Sequence, residues 1–291
     1  MGLYKRILAC LDGSTESFNA YENALRFAKS INGSVIALTV IPLGAGLSSA
    51  LSLFLGMKDL FRRTGEKILK KAKEIALEEG VKIKPLIEEG EPFQKIVDII
   101  YAEDIDLVFL GKSGKSGLAR GILGSTAQRV IGASPVDVIV IPKDGSLKFN
   151  KILVPTDGSP FSERAAHRAL ELAKHFKSNI RLLYVVEPII TELYEVPGDL
   201  YKLMEALKFS AEEFVRKLKE NFKREEVECS TSVIEGAPVE MILEVAQKEE
   251  INLIVMGSHG KTGLKRLLLG SVTERVINFG NLPVLVVKGE L

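Results

Sequence analysis

The chain repeats itself, and nothing else in it constrains the fold as strongly. A basic residue, Ile-Leu, three variable residues and Asp-Gly-Ser run from Arg6 to Ser14 and again from Lys151 to Ser159. Glu89-Gly90-Glu91-Pro92 returns as Glu235-Gly236-Ala237-Pro238, and Asp106-Leu107-Val108-Phe109-Leu110-Gly111 returns as Asn252-Leu253-Ile254-Val255-Met256-Gly257. Ser134-Pro135-Val136-Asp137-Val138 is answered by Asn281-Leu282-Pro283-Val284-Leu285. The offset is 145 residues between Asp12 and Asp157, 146 between Gly111 and Gly257, and 147 between Val138 and Leu285. A chain of 291 residues carrying one pattern twice is a tandem of two similar domains, the number that roughly 150 residues per domain leads one to expect. We expect the first over residues 1–143, the second over 150–291, and a short polar linker at about 144–149.

Within each half, strand and helix patterns alternate. In the first half Ile7 to Leu11, Val35 to Ile41, Val81 to Ile87, Leu107 to Leu110 and Val136 to Ile141 are short aliphatic or β-branched runs bounded by Gly, Pro, Asp and Asn, the pattern of buried parallel strands. Between them lie helical periods, such as Ser17 to Ser30 with Phe18, Tyr21, Ala24, Leu25 and Ala28 on one face. Ser14 and Thr15, or Ser159 before Pro160, supply capping chemistry for the first helix. Five strands alternating with four helices predict an α/β domain, an open parallel sheet covered on both faces with right-handed crossovers.

Composition narrows the class. Thirty-nine Lys and Arg stand against 38 Asp and Glu, a formal charge of +1, which argues against nucleic acid as the partner. With 46% hydrophobic and 26% charged residues the chain is not a disordered one. Two cysteines, Cys10 and Cys229, make no disulfide framework, and with His167, His175 and His259 they show no zinc-site spacing, so no metal site is expected. The stretch from Met1 to Arg6 has no signal-peptide pattern. Ile41 to Met57 is apolar but carries Pro42 and three glycines and falls short of a spanning helix; a lid or a partner-facing surface fits it better. A cytoplasmic protein without a membrane span is the expectation.

In sheets of this kind ligands collect beyond the carboxyl ends of the strands. Two segments per half are placed there: the turn after the first strand, holding Asp12 or Asp157, and the long loop after the fourth. Gly-Lys-Ser at 114–116 and Gly-Lys-Thr at 260–262 tempt a P-loop reading, but two residues separate them from the preceding glycine where a P-loop needs four. What remains is Gly-x2-Gly-x9-Gly-Ser: Gly111, Gly114, Gly124, Ser125 and Gly257, Gly260, Gly270, Ser271. Its glycines let a ligand approach the backbone. Its last Gly-Ser opens the fourth helix, turning amide hydrogens and the positive end of the dipole towards an anion.

These residues resemble the universal stress protein family, as two tandem family domains covering nearly the whole chain. The resemblance implies Rossmann-like domains of the adenine nucleotide alpha hydrolase-like type, each a five-stranded parallel sheet in the order 3-2-1-4-5. It implies binding of ATP or AMP by members that keep the glycine loop, with Mg2+ an option where the ligand is ATP. By the same resemblance Asp12 and Asp157 lie at the adenosine end, and Val40 and Val185 flank the base. Gly111, Gly114, Gly124 and Ser125, with Gly257, Gly260, Gly270 and Ser271, surround ribose and phosphates; Thr126 and Val272 follow as the next amides. It further implies that the repeats pair as an intrachain pseudo-dimer through their last strands. Two variable segments, Pro42 to Phe61 and Glu187 to Phe209, differ between the halves, and the apolar run in the first suggests lids or a surface for a second chain, hence a homodimer of chains; a protein partner is expected to read the bound state. The halves differ: Cys10-Leu11-Asp12 stands against Pro155-Thr156-Asp157, removing a hydroxyl beside the aspartate, and Lys112-Ser113 against Ser258-His259, placing a cation near the phosphate path. Both sites are expected to bind, with unequal affinity.

Plainer roles stand beside these. The glycines also suit tight strand–helix packing, and Asp12 and Asp157 suit turn and cap positions. His259 suits a polar loop; Lys115, Arg120, Lys261 and Arg266 suit a solvated helix face as well as phosphate contact; Cys10 suits a buried inert thiol better than an oxidant sensor. No nucleophile–base pair repeats in the two halves, so no catalytic residue is expected, and the reading is a nucleotide-binding regulator of the stress response with at most slow ATP hydrolysis. An adenylating or nucleotide-hydrolysing enzyme of the related α/β class is the alternative, and a scaffold with relic sites a third.

Overall fold

The computed structural model describes residues 3–42, 57–114, 122–188, 198–260 and 269–289. Two compact units divide between Ser146 and Leu147. The first runs β1 (Arg6–Cys10), α1 (Thr15–Ile31), β2 (Ser34–Ile41), α2 (Met57–Glu79), β3 (Ile83–Glu89), α3 (Pro92–Ala102), β4 (Leu107–Gly111), α4 (Ser125–Ala133) and β5 (Asp137–Ile141). The second runs β6 (Lys151–Thr156), α5 (Pro160–Phe176), β7 (Asn179–Val186), α6 (Gly198–Arg224), β8 (Cys229–Glu235), α7 (Pro238–Lys248), β9 (Leu253–Gly257), α8 (Ser271–Phe279) and β10 (Val284–Val287).

Among the described residues each unit holds five parallel strands. The order is β3-β2-β1-β4-β5 in the first and β8-β7-β6-β9-β10 in the second, the predicted 3-2-1-4-5 in both. The central strands are apolar on both faces and buried: Ile7, Leu8, Ala9, Leu107, Val108 and Phe109 in one unit, Ile152, Leu153, Val154, Leu253, Ile254 and Val255 in the other. Covering by helices on both sides of the sheet demands this. Pro155 sits near the end of β6, beyond the Ile152–Leu153 stretch that pairs with β9, so its missing N–H interrupts no bond to that neighbour.

The predicted apolar face of α1 is the buried one, with Tyr21, Ala24, Leu25 and Ala28 fully enclosed. Tyr21 hides its ring while its hydroxyl donates to the Ala72 carbonyl on α2 at 2.8 Å. One predicted strand begins later than its apolar run. Val81 is not in β3, because its N–H donates back to the Ala76 carbonyl and Gly80, at φ +69°, closes the end of α2, a Schellman arrangement. The same left-handed exit ends α1 at Asn32, α3 at Asp104, α5 at Lys177, α6 at Glu226 and α7 at Glu250, without glycine.

The repeats differ locally. Tyr4 donates to buried Asp137 at 2.6 Å, where the second repeat carries Phe149 and Val284, the former stacked on Phe176 at 4.0 Å. The segment expected as a linker begins pinned: the Asn19 side chain donates to the carbonyls of Pro142, Lys143 and Gly145, and Asn23 adds a bond to Gly145. Among the described residues no helix is long and apolar enough to cross a membrane.

Candidate functional site

The turn after β1 is built by its own side chains. Asp12 Oδ1 accepts from the backbone N–H of Ser14 at 2.9 Å and from its hydroxyl at 2.6 Å, and Ser14 Oγ caps α1 by accepting from Ser17 N–H at 3.1 Å. Asp157 Oδ1 accepts from Ser159 N–H at 3.0 Å and Ser159 Oγ from Ser162 N–H at 3.2 Å. The aspartates therefore do form the turn, as the plainer reading has it, but with one oxygen. The other, Oδ2, lies against the second glycine of the loop, Gly114 in one repeat and Gly260 in the other.

The fourth helix of each unit starts differently. Gly124 and Gly270 occupy the N-cap positions of α4 and α8, and neither supplies a side-chain cap. Each N-cap glycine is itself tied down, Gly124 N–H donating to the Lys112 carbonyl and Gly270 N–H to that of Ser258, both at 2.8 Å. Among the described residues no side chain is seen capping the first amides of these helices, and a helix start of this kind is where geometry favours an anion.

The glycines of the loop have separate reasons. At Gly111 and Gly257 a Cβ would fall 2.9 Å from the Glu16 carbonyl carbon and 2.8 Å from that of Phe161, so these two let β4 and β9 touch the start of the first helix. At Gly114 and Gly260 the nearest atom is the aspartate oxygen. The packing explanation therefore covers the first glycine of each loop and leaves the second to the site.

In the first unit Asp12, Val40, Gly111, Gly114, Gly124, Ser125 and Thr126 line one cavity of about 560 Å³. In the second, Asp157, Val185, Gly257, Gly260, Gly270, Ser271 and Val272 line one of about 470 Å³. Both volumes suit a small organic ligand. Each of these fourteen residues lines the cavity of its own repeat. Lys115, Arg120, Lys261 and Arg266, and parts of the two variable segments, lie outside the described residues.

Two expectations change. Lys112 was to put a cation near the phosphate path, but its side chain is buried, it does not line the cavity, and burial pulls its ammonium below the ordinary lysine range. Its position is set by the backbone, which spends its N–H on the Ile141 carbonyl and its own carbonyl on Gly124. The hydroxyl of Thr156, absent from Leu11, is not spare for a ligand either: it is buried, donates to Ser162 Oγ at 2.8 Å and accepts from Gly158 N–H at 3.4 Å.

The walls also hold residues that the sequence did not single out. Pro92 and Ile96 at the start of α3, and Pro238 and Ile242 at the start of α7, stand at matching places; the repeated Glu-Gly-x-Pro was their signal. Leu60, Phe61 and Ile68 from α2 close the first cavity, whereas Leu207 of α6 and Tyr184, whose hydroxyl donates to the Asp157 carbonyl at 3.0 Å, belong to the second. No shared pattern announces these, because the halves differ there. Cys10 lines the first cavity, and burial pushes its thiol far above the usual range, which disfavours a reactive thiolate. Among the described residues no cluster of His, Cys, Asp or Glu is arranged to hold a metal ion.

The sequence pattern of the universal stress protein family matches residues 3–142 and, a second time, 148–288. The chain belongs to the universal stress protein family. Universal stress protein MJ0531 of Methanocaldococcus jannaschii is 41% identical over 150 residues, 51% of this chain and 87% of that protein. Universal stress protein Slr1230 of Synechocystis is 24% identical over 306 residues, spanning 98% of this chain and all of that one. A crystal structure of a universal stress protein from Archaeoglobus fulgidus superposes with a TM-score of 0.73 over 98% of both chains at 24% identity, which establishes the shared tandem fold. In this universal stress protein the two repeats keep one backbone plan for the site and change the side chains around it.

Proposed function

We propose that each repeat of this chain binds one adenine nucleotide, ATP or AMP, and that the protein is a stress-response regulator whose interactions follow nucleotide occupancy. The observation that carries the reading is the convergence, twice, of an aspartate turn, a second-strand valine and an uncapped helix start on one cavity. The valine flanks the base, the aspartate Oδ2 meets the ribose end, and the amides at Ser125 and Thr126, or Ser271 and Val272, take the phosphates. An anion at such a helix start gains both the unpaired donors and the helix dipole. Mg2+ accompanies ATP in this reading through the phosphates rather than a protein cage. The protein is cytoplasmic, its repeats pair as a pseudo-dimer and its chains dimerise; light scattering that finds a strict monomer removes the last part.

Thermal unfolding with and without ATP tests the core of the proposal. Ligand at a hundred times its Kd stabilises by about 2.7 kcal/mol, which raises Tm by roughly 5–10 °C for a unit of this size. Calorimetry should then count two sites per chain. No shift with ATP or AMP at millimolar concentration refutes the reading, and rapid pyrophosphate release in a single turnover replaces it with the enzyme.

A further inference from the structure

The two cavities diverge on the side of the long helices α2 and α6. In the second unit Tyr184 turns its ring there, edge-on to Phe214 of α6 at 6.4 Å between centroids, while its hydroxyl holds the Asp157 carbonyl. Cys10 pairs with Leu38 and Pro155 with Leu183, so Thr39, the next residue, stands where Tyr184 stands. The helix ends give the match for the facing wall. Val81 N–H returns to the Ala76 carbonyl and Val227 N–H to that of Phe222, which puts Ile68 in the place of Phe214 and Gly65 in that of Ala211. At all three positions the first repeat carries the smaller residue.

A side compartment results. Thr39 and Ile41 face α2, since a Cβ on Gly65 would lie 3.4 Å from Thr39 Cγ2 and 3.5 Å from Ile41 Cδ1. Phe61 and Ile68 of the same helix complete the walls, and all five residues line the first cavity, whereas α6 gives the second Leu207. The first cavity is accordingly the larger, about 560 Å³ against about 470 Å³. By strand alternation Val40 points to the opposite face of the sheet, so the place read above for the base and this compartment lie on two sides of one strand. Polar groups contribute little here. The Thr64 hydroxyl donates to the Leu60 carbonyl of its own helix at 2.9 Å, and Asp12 is the one charged side chain among the described lining residues.

We propose that the first repeat binds a compact aromatic molecule, about one ring in size, between β2 and α2, in the place that the second repeat fills with its own Tyr184. The inference goes beyond the nucleotide reading and stands without it. The second repeat supplies the reason for a ring, because the same frame there closes on one. The walls supply the reason for an apolar one. An apolar space of about 150 Å³ lined by Leu, Ile and Phe is enough to hold benzene, and an ion entering here would give up hydration that Ile41, Phe61 and Ile68 do not replace. Burial of the ring's apolar surface provides the affinity. The first repeat then answers to two ligands and the second to one.

Fluorobenzene titrated into the full chain, followed by its fluorine NMR signal, decides the matter. One saturable site per chain is expected. Thr39→Tyr weakens it by roughly tenfold or more, because the new ring takes the space that the probe would fill. Should that variant fold poorly by its thermal midpoint, Thr39→Tyr with Ile68→Phe, which copies Tyr184 and Phe214, restores the packing and shows the same loss. Tyr184→Thr with Phe214→Ile carries the compartment to the second repeat and adds a second site. Absence of saturable binding in the wild-type chain up to the probe's solubility, or unchanged affinity in the folded Thr39 variants, overturns the proposal. Complete displacement of the probe by adenosine also overturns it, since the probe then sits in the base's place. Failure of the chain to bind ATP or adenosine overturns the nucleotide reading alone, and saturable fluorobenzene binding lost in Thr39→Tyr upholds this proposal in that case.

Discussion

Gly257 and Gly260 stand three residues apart in one loop, and alanine at each should do opposite things. Neither has a positive φ, so the backbone of both accepts alanine and only space decides. At 257 the new Cβ meets the carbonyl carbon and oxygen of Phe161 at 2.8 Å, far inside ordinary contact at about 3.5–4.0 Å. Those atoms belong to the first turn of α5, so either the helix or β9 must move. Overpacking of this kind costs about 1–3 kcal/mol, and the narrower unfolded ensemble of alanine returns about 0.4–1 kcal/mol. The net loss of about 1–2 kcal/mol lowers Tm by roughly 3–6 °C. At 260 the Cβ meets only Asp157 Oδ2, at 2.7 Å, with the next atom 3.8 Å away. The carboxylate end gives way more easily than backbone, but it also holds the turn through the 3.0 Å bond from Ser159 N–H, so Gly260→Ala costs up to about 1 kcal/mol once the narrower unfolded ensemble of alanine is counted, less than Gly257→Ala. The swing takes Oδ2 from its place in the cavity, so nucleotide affinity at this repeat falls by roughly tenfold. Urea titration and thermal scans read the first quantity and calorimetry with ATP the second. The reasoning is refuted if Gly260→Ala destabilises as much as Gly257→Ala, or if Gly257→Ala unfolds at the parent's midpoint.

Three further outcomes are expected. Tyr4→Phe removes a hydrogen bond from buried Asp137 and should cost about 1–3 kcal/mol in urea, whereas Tyr4→Phe with Asp137→Val, which copies Phe149 and Val284 of the other repeat, should recover most of it; equal losses in both variants contradict this. Burial holds the Cys10 thiol far above its ordinary value and raises that of Cys229 to about 11. Thiolate forms only as pH climbs towards these values, so iodoacetamide should label neither quickly at neutral pH, Cys229 first in alkaline buffer, and ATP should protect Cys10 alone; mass spectrometry that finds Cys10 labelled first at neutral pH counts against the assignment. Lys177 sits at φ +56°, and Lys177→Gly should stabilise by about 0.5–1 kcal/mol, the left-handed strain relieved minus the extra freedom of unfolded glycine; an unchanged or lower Tm would show the strain is absent.

How much of this was legible beforehand follows from what each residue answers to. The strands were readable because a parallel strand buried on both faces must be apolar throughout, as Leu107 to Leu110 is. The sheet order came with the family resemblance, not with any periodicity. The start of β3 was misplaced at Val81 because apolar character says nothing about which carbonyl an N–H bonds, and here the helix end claims it. Within the loops, spacing located the glycines and the aspartates, since a turn and a close approach each demand a residue type at a fixed place. It did not distinguish Gly111, which serves packing, from Gly114, which faces the aspartate, because both needs read as glycine. Lys112 shows the same gap from the other side: a lysine in a polar loop suggests an exposed cation, and only the backbone bonds at Ile141 and Gly124 reveal that the chain turns it inward.

The helix exits described above reach further than local strain. Each carries the chain back into the sheet within two or three residues, and the N–H after the left-handed position is already committed to the helix it leaves. That rim of each sheet has no slack in which to insert or delete a residue. The opposite rim carries the long connections after β2, β4, β7 and β9, and lengthening those disturbs no ladder. The differences between the two repeats' cavity walls accordingly lie at that edge of each domain, while the strands and helix exits that frame them match.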